Sequence, residues 1–173
     1  MEQYIPDVYQ QSIYTINYKK LKERGIRNLL FDLDNTLVPV NVKEPNEKIQ
    51  ELFYDLKKQG FHIVIFSNSP KCRLKPFKDI LEVDCCPSAC KPKPKKFFTV
   101  MDSIQGNVSE TAIIGDQMLT DIKGGNRVGI TTVLINPISK KDHIFTKFNR
   151  AFEKKIMKKL RDKNLFVKGR YYD

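Results

Sequence analysis

Two short acidic stretches, each at the end of an apolar run, are where this chain could do chemistry. In Phe31-Asp32-Leu33-Asp34-Asn35-Thr36-Leu37-Val38, two carboxylates stand two residues apart. In an extended segment such residues point the same way. Two acids that close repel one another unless a cation lies between them or they divide the work of nucleophile and proton donor. Ile113-Ile114-Gly115-Asp116-Gln117-Met118-Leu119-Thr120-Asp121 supplies a second acidic pair, with Gly115 allowing close approach of the backbone. Asp116 is placed to bind a divalent metal, and hard magnesium takes one or two carboxylates together with water and phosphate oxygens, which Asp32 and Asp116 could provide. Asp121 has two readings, as a helix-start residue favoured by the macrodipole or as support behind the metal ligands. Ser67, after Ile63-Val64-Ile65-Phe66, offers a hydroxyl to a phosphoryl oxygen, with Asn68 beside it, although alone it reads as a helix-cap serine. Lys91 in Cys90-Lys91-Pro92 can set a positive charge on phosphate and nucleophile, and Lys93 in Lys91-Pro92-Lys93-Pro94 is its competitor.

The elements that must carry these residues alternate. Residues 28–33 form an apolar run suited to a strand buried on both faces of a parallel sheet. Glu47 to Lys58 reads as a helix, with Ile49, Leu52, Phe53 and Leu56 on one side and Gly60 closing it. Phe61 to Phe66 is a second strand, a helix starts at Pro70, which is tolerated as a first helical residue, and runs on toward Leu81, and a short strand lies near Val83 to Cys86. A helix over Lys95 to Ile104, a strand over Thr111 to Ile114, a helix from Met118 to Asn126 and a strand over Ile130 to Ile135 complete the series. Such alternation implies an α/β fold with a parallel sheet and helices on both faces. Ligands of open sheets bind beyond the carboxyl ends of the strands, so Asp32, Ser67 and Asp116 are expected to converge.

The 173 residues suit one domain, and no apolar run approaches the roughly 20 residues that a membrane-spanning helix needs. No secretory signal is legible at Met1-Glu2-Gln3-Tyr4, and a cytoplasmic location, with peripheral contact at the inner membrane face, is the expectation. Cys72, Cys85, Cys86 and Cys90 lack the paired two-residue spacing of zinc knuckles and are expected as buried or partly buried free thiols. The net charge of +11 is uneven: residues 1–136 hold 19 Lys/Arg against 16 Asp/Glu, and residues 137–173 hold 12 against 4. A basic tail attracts polyanions, nucleic acid or an anionic leaflet alike. From Asp142 to Lys163, Ile144, Phe148, Phe152, Ile156 and Leu160 repeat every four positions among lysines, with Phe145 and Met157 alongside, so a basic amphipathic helix is expected. It either packs its stripe on the domain or meets a membrane with it. A nucleic-acid or ribosome-binding module would rest on charge alone, and nucleic acid is not the expected partner.

The order Asp-x-Asp-x-Thr, Ser, Lys, Gly-Asp and a further Asp resembles the haloacid dehalogenase (HAD) superfamily. The stretches Leu33 to Val38, Lys91-Pro92, Gly115 to Ile122 and Gly124-Gly125-Asn126-Arg127 further resemble the YqeG-like group of its subfamily IIIA phosphatases, itself similar to mitochondrial phosphatidylglycerophosphate phosphatases. The resemblance implies a HAD-like Rossmannoid fold and a magnesium-dependent phosphatase working through an aspartyl-phosphate. It makes Asp32 the nucleophile and Asp34 the acid and base, with Thr36 steadying the loop on the phosphate side. Ser67, Asn68 and Lys91, which the family pattern favours over Lys93, would bind the phosphoryl group. Asp32, the Asp34 carbonyl and Asp116 would hold Mg2+. The intervals between these residues leave no room for a cap, so the fold is expected to be capless, with an open site suited to the end of a large or surface-bound substrate such as an anionic phospholipid. Three segments are expected: a lead-in over 1–26 packed on the core, the phosphatase core over 27–137 and a basic helix and tail over 138–173.

Overall fold

A computed structural model describes residues 1–139 and 144–173. Six parallel strands form one sheet: β1 (Val8–Gln10), β2 (Asn28–Phe31), β3 (His62–Phe66), β4 (Asp84–Cys86), β5 (Thr111–Gly115) and β6 (Thr131–Ile135), in the order β1-β6-β5-β2-β3-β4. The chain steps outward from β2 through β3 to β4, then returns to the other side of β2 with β5. The sheet therefore reverses direction between β2 and β5, where open α/β sheets place their ligands. The registers Phe31↔Ile114 and Phe31↔Ile65 bring the ends of β2, β5 and β3 level.

Each central strand is apolar on both faces because both are covered. Leu29, Phe31, Ile63, Ile65, Ala112 and Ile114 face one side, where α1 (Tyr18–Glu23), α2 (Glu47–Lys58) and α3 (Lys71–Leu81) supply Leu21, Phe53 and Phe77. Leu30, Val64, Phe66 and Ile113 face the other, against Phe97, Val100 and Met101 of α4 (Pro94–Ser103) and Val128 of α5 (Lys123–Val128). Burying each of these large side chains contributes about 1.5–3 kcal/mol. The helix boundaries follow local chemistry. Asn46 caps α2 by accepting from the Ile49 amide at 3.0 Å, and Gly60, at φ +88°, lets the chain turn back into β3.

The helix expected over Met118 to Asn126 is two pieces, a π-helical turn at Met118–Ile122 and then α5. The wide turn directs Asp121 back beneath the end of β5. At the amino end, β1 is a three-residue edge strand, too short for a periodic signal, tied to β6 by the Asp7 carboxylate, which accepts from the Thr132 amide at 2.8 Å. The chain's far end closes that edge: Tyr9 and Tyr172 exchange backbone hydrogen bonds of 2.8 and 2.9 Å.

The basic helix is α6 (Ile144–Asp162). Of its apolar stripe, Ile156 and Leu160 are buried with Phe166 against Tyr9, Met118, Ile122 and Leu134, so this part packs on the core. Phe152 lies 53% exposed instead, among exposed Lys154, Lys155, Lys158 and Lys159. Asp142, and the side chains of Ile144, Phe145 and Phe148, lie outside the described residues. Among the described residues no separate domain is inserted between β2 and β3 or between β3 and β5, and no helix is long and apolar enough to cross a membrane. The four cysteines are free, but Cys72 and Cys90 are exposed instead of buried, because each sits on a turn or helix face turned to solvent.

Candidate active site

The site is built on three strand ends. Beyond β2 the ladder continues for one residue, the Asp32 amide donating to the Ile114 carbonyl at 2.9 Å, and the chain then turns so that the amides of Leu37 and Val38 return to the Leu33 carbonyl. Asn35 takes the left-handed conformation, φ +64°, that this turn requires. Thr36 is fully buried, and its hydroxyl does not face the cavity but lies 3.3 Å from Asp32 Oδ2 and 3.2 Å from Asp116 Oδ1. One hydroxyl proton can serve only one of these carboxylates at a time, so Thr36 holds the two acids at a fixed spacing.

Beyond β3, Ser67 accepts the Ser69 amide at 3.2 Å, while Asn68 brackets the backbone of Lys91, accepting from its amide at 2.7 Å and donating to its carbonyl at 3.2 Å. This clamp aims the Lys91 side chain inward. Its Nζ lies 2.8 Å from Asp32 Oδ1, 2.7 Å from Asp121 Oδ1 and 2.9 Å from the Phe66 carbonyl, which engages all three ammonium protons. Lys93 is exposed, at the start of α4.

Beyond β5, Asp121 returns under Gly115. Its Oδ2 accepts the Gln117 amide at 3.1 Å while its Oδ1 holds Lys91, so this side chain ties the turn after β5 to the buried lysine. A Cβ at position 115 would stand 2.2 Å from the Asp121 carboxyl carbon, which is why a glycine ends the strand. Asp116, also buried, turns Oδ1 toward Thr36 and Oδ2 toward Arg150 of α6.

Asp34 faces the same cavity from the other wall. Ser69 Oγ donates to its Oδ2 at 2.6 Å, and Arg73 of α3 reaches its Oδ1 through Nη2 at 2.9 Å and Nε at 3.2 Å. Asp32, Asp34, Ser67, Asn68 and Lys91 all line this open cavity of about 520 Å3, and Asn149 of α6 closes one side of it.

Charge explains the electrostatics. Ligand oxygens of Asp32, Asp116 and Asp121 lie within 4.8 Å of one another, all buried. Burial, aided by Asp121 and Asp34, lifts Asp32 to about 6 in spite of Lys91. Burial, with Asp32 and Asp121, lifts Asp116 to about 8 in spite of Arg150. For Lys91 burial works against the charge, but Asp121 and Asp32 outweigh it and hold the ammonium above the ordinary lysine range. Three buried carboxylates whose oxygens lie this close form a donor set of the kind hard divalent cations select, and a cation there would favour the charged forms that burial, and after it mutual repulsion, opposes in Asp32 and Asp116.

Arg73, Ser69, Arg150 and Glu153 were not legible as site residues. Arg73 carried one signal: it lies in the first turn of the helix that follows the Ser67 strand end, and such turns face the crevice. Arg150 and Glu153 carried none, being one cation and one acid on a helix of many charges.

A parallel sheet that gathers a paired-aspartate loop, a serine, a clamped lysine and a Gly-Asp turn at its switch point belongs to a phosphatase of the HAD superfamily. Comparison with known proteins places it more narrowly. Residues 88–147 match the HAD-hydrolase-like family model and residues 1–76 match that of mitochondrial PGP phosphatase. The Bacillus subtilis protein designated "Probable phosphatase YqeG" is 35% identical over 92% of this chain and 93% of its own length. The chain therefore belongs to the YqeG-like group of HAD phosphatases. It is also 28% identical, over 82% of its length, to phosphatidylglycerophosphate phosphatase 1 of Arabidopsis thaliana, of which it spans 43%. The cobalt-bound deoxy-D-mannose-octulosonate 8-phosphate phosphatase of Haemophilus influenzae shares the fold, with a TM-score of 0.54 at 16% identity over 67% of this chain and 81% of that one.

Proposed function

We propose that this phosphatase is a magnesium-dependent phosphomonoesterase that works through an aspartyl-phosphate on Asp32 and takes phosphatidylglycerophosphate as its substrate. The observation that carries the mechanism is the placement of Asp32 on the cavity floor, one oxygen on buried Lys91 and the other on Thr36, with Asp34 on the facing wall. In the first step an Asp32 oxygen attacks phosphorus, the bond from phosphorus to the ester oxygen breaks, and Asp34 delivers a proton to that leaving oxygen. In the second, Asp34 takes a proton from water, the water oxygen attacks the same phosphorus, and the acyl-phosphate bond breaks to release inorganic phosphate and restore Asp32. Ser67 and Lys91 bind the phosphoryl oxygens. Asp32, Asp116 and the Asp34 carbonyl would hold Mg2+, supported by Asp121, and the ion when bound would supply positive charge to the phosphoryl oxygens.

Three observations support the lipid substrate. The amino-terminal 76 residues match the mitochondrial PGP phosphatase model, and a plant relative carries that activity in its name. Among the described residues no inserted domain covers the site. Beside it, on the outer face of α6, Phe152 is exposed among lysines, one helical turn from the cavity-lining Asn149. An aromatic side chain can enter the headgroup layer of an anionic bilayer, and each lysine near such a surface adds about 1 kcal/mol. Contact is peripheral, at the inner membrane face.

The test is phosphate release from phosphatidylglycerophosphate in mixed anionic vesicles beside a panel of soluble and protein phosphate esters. It compares the full chain with a variant carrying Lys154→Ser, Lys155→Ser, Lys158→Ser and Lys159→Ser. These four are exposed, so the substitutions leave the packed face of α6 intact. The lipid is expected to be the faster substrate, and the variant to lose lipid turnover while keeping its rate on soluble esters. Faster turnover of a soluble ester, with no effect of the four substitutions, refutes the lipid reading.

A further inference from the structure

The carboxyl-terminal helix reaches the metal-binding corner of the site through a partly buried arginine and a buried glutamate. Arg150 Nη1 donates to the Asp116 carbonyl at 2.8 Å and to Glu153 Oε2 at 3.1 Å, and its Nη2 donates to Asp116 Oδ2. Glu153 is only 1% exposed, and its other oxygen accepts the Leu119 amide at 3.1 Å. The chain of contacts thus runs from the turn after β5, through Glu153 and Arg150, to one oxygen of Asp116. The second oxygen of that carboxylate points the opposite way, to Thr36 and Asp32.

Two physical consequences follow. A carboxylate pinned at Oδ2 by a planar guanidinium, whose own position is fixed by a backbone carbonyl and a buried glutamate, cannot rotate, so Oδ1 stays aimed at Asp32. A lone arginine beside a divalent cation would repel it. Arg150 instead stands against Glu153, and the paired charges project little net field onto the neighbouring ion.

We propose that Arg150, braced by Glu153, is a positioning residue that holds Asp116 in its cation-binding orientation, so that docking of α6 and binding of the divalent ion are coupled. The proposal rests on the reading of Asp116 as a metal ligand. The tail then has a task inside the site as well as at the surface: a chain whose α6 is undocked has a weakened metal site.

The experiment measures Mn2+ binding to the full chain by the loss of the free-ion electron paramagnetic resonance signal, for the unsubstituted protein and for Arg150→Met, Arg150→Lys and Glu153→Gln. Loss of an outer hydrogen-bond partner of a metal ligand weakens affinity about 10- to 100-fold, and that is the result expected for Arg150→Met. Arg150→Lys recovers part of the loss, and Glu153→Gln weakens binding by leaving Arg150 unbalanced. With p-nitrophenyl phosphate, the half-saturating Mg2+ concentration rises in Arg150→Met while the rate at saturating Mg2+ stays within a few-fold, a split that general loosening of the fold would not give. Should Arg150→Met fail to fold, Arg150→Lys and Glu153→Gln decide on the same readouts. Unchanged or tighter Mn2+ binding in the variants overturns the coupling alone. No Mn2+ binding by the unsubstituted protein overturns the metal reading, and the coupling with it.

Discussion

Lys91 and Asp121 form a buried ion pair, 2.7 Å from ammonium nitrogen to carboxylate oxygen, in a place that neither could occupy without the other. The same nitrogen lies 2.8 Å from Asp32. Replacing Lys91 by Met leaves two buried acids facing each other without their shared cation. Removing one partner of such an arrangement costs about 3–5 kcal/mol. Urea unfolding in the presence of a chelator is expected to show a loss of that order for Lys91→Met, and a smaller loss when Mg2+ is added, since the ion takes over part of the neutralisation. An unchanged midpoint in chelator would show that the pair does not hold the site together.

Gly115 makes the pair possible. With the projected Cβ 2.2 Å from the Asp121 carboxyl carbon, Gly115→Ala must drive Asp121 away from beneath the strand. Lys91 then loses one of its three acceptors and the Gln117 amide loses its own. The expected outcome is a fall in kcat of at least about tenfold with the circular dichroism spectrum retained, because a misplacement of about 1 Å near the reacting atoms costs up to a hundredfold. A rate equal to that of the parent chain would mean that Asp121 does not position Lys91.

How much of this could be read from the residues alone divides along physical lines. The four longer strands were legible because each carries an apolar run, and the three-residue β4 was expected only as a short strand near Val83 to Cys86. Asp32, Ser67 and Asp116 were placed together because parallel strands end on one edge. The three-residue β1 carries too little pattern to be seen, and the π-helical turn at Met118–Ile122 has the apolar spacing of an ordinary helix. The apolar stripe of α6 was legible, but not that Ile156 and Leu160 would meet Tyr9 and Ile122 while Phe152 stays outside. Arg150 reaches Asp116 across 34 positions of sequence, and nothing distinguishes it from the other cations among 31.

The packing of α6 has its own test. Leu160 is fully buried, and truncating such a leucine costs about 2–5 kcal/mol. Leu160→Ala is expected to lower the thermal midpoint clearly, whereas Phe152→Ala, at a position 53% exposed, should leave it nearly unchanged. Equal effects of the two substitutions would contradict the face assigned to this helix.

Thiol chemistry reports on the sheet edge. Burial raises the Cys85 thiol to about 11, with Lys78 only partly opposing, and the thiolate is the reactive form. Against a reference value of 9.0, this leaves about 100-fold less thiolate at pH 8, and the fraction rises tenfold per pH unit until the pH approaches 11. Iodoacetamide at pH 8 should modify exposed Cys72 and Cys90 well before Cys85. Mass mapping that finds Cys85 labelled first would reverse this ordering.

The division of labour between Asp32 and Asp34 can be separated by the choice of leaving group. Asp32→Asn removes the attacking oxygen and should abolish turnover of every ester, at any Mg2+ concentration. Asp34→Asn keeps the nucleophile, so its effect depends on which step needs the proton. An alkyl ester such as a glycerophosphate needs its leaving oxygen protonated, and its turnover should fall about 10²- to 10⁴-fold. p-Nitrophenolate leaves without help, so with p-nitrophenyl phosphate the first step proceeds and only hydrolysis of the acyl-phosphate, which needs Asp34 as base, is slowed. Asp34→Asn should then give a burst of one p-nitrophenolate per chain and accumulate a phosphorylated protein, the added mass mapping to the peptide that contains Asp32. The phosphoryl group should be lost on treatment with hydroxylamine, as acyl-phosphates are. A burst with the label on Ser67 would move the nucleophile to the hydroxyl, and the absence of both burst and label in an Asp34→Asn protein that still turns over p-nitrophenyl phosphate would favour direct attack by water.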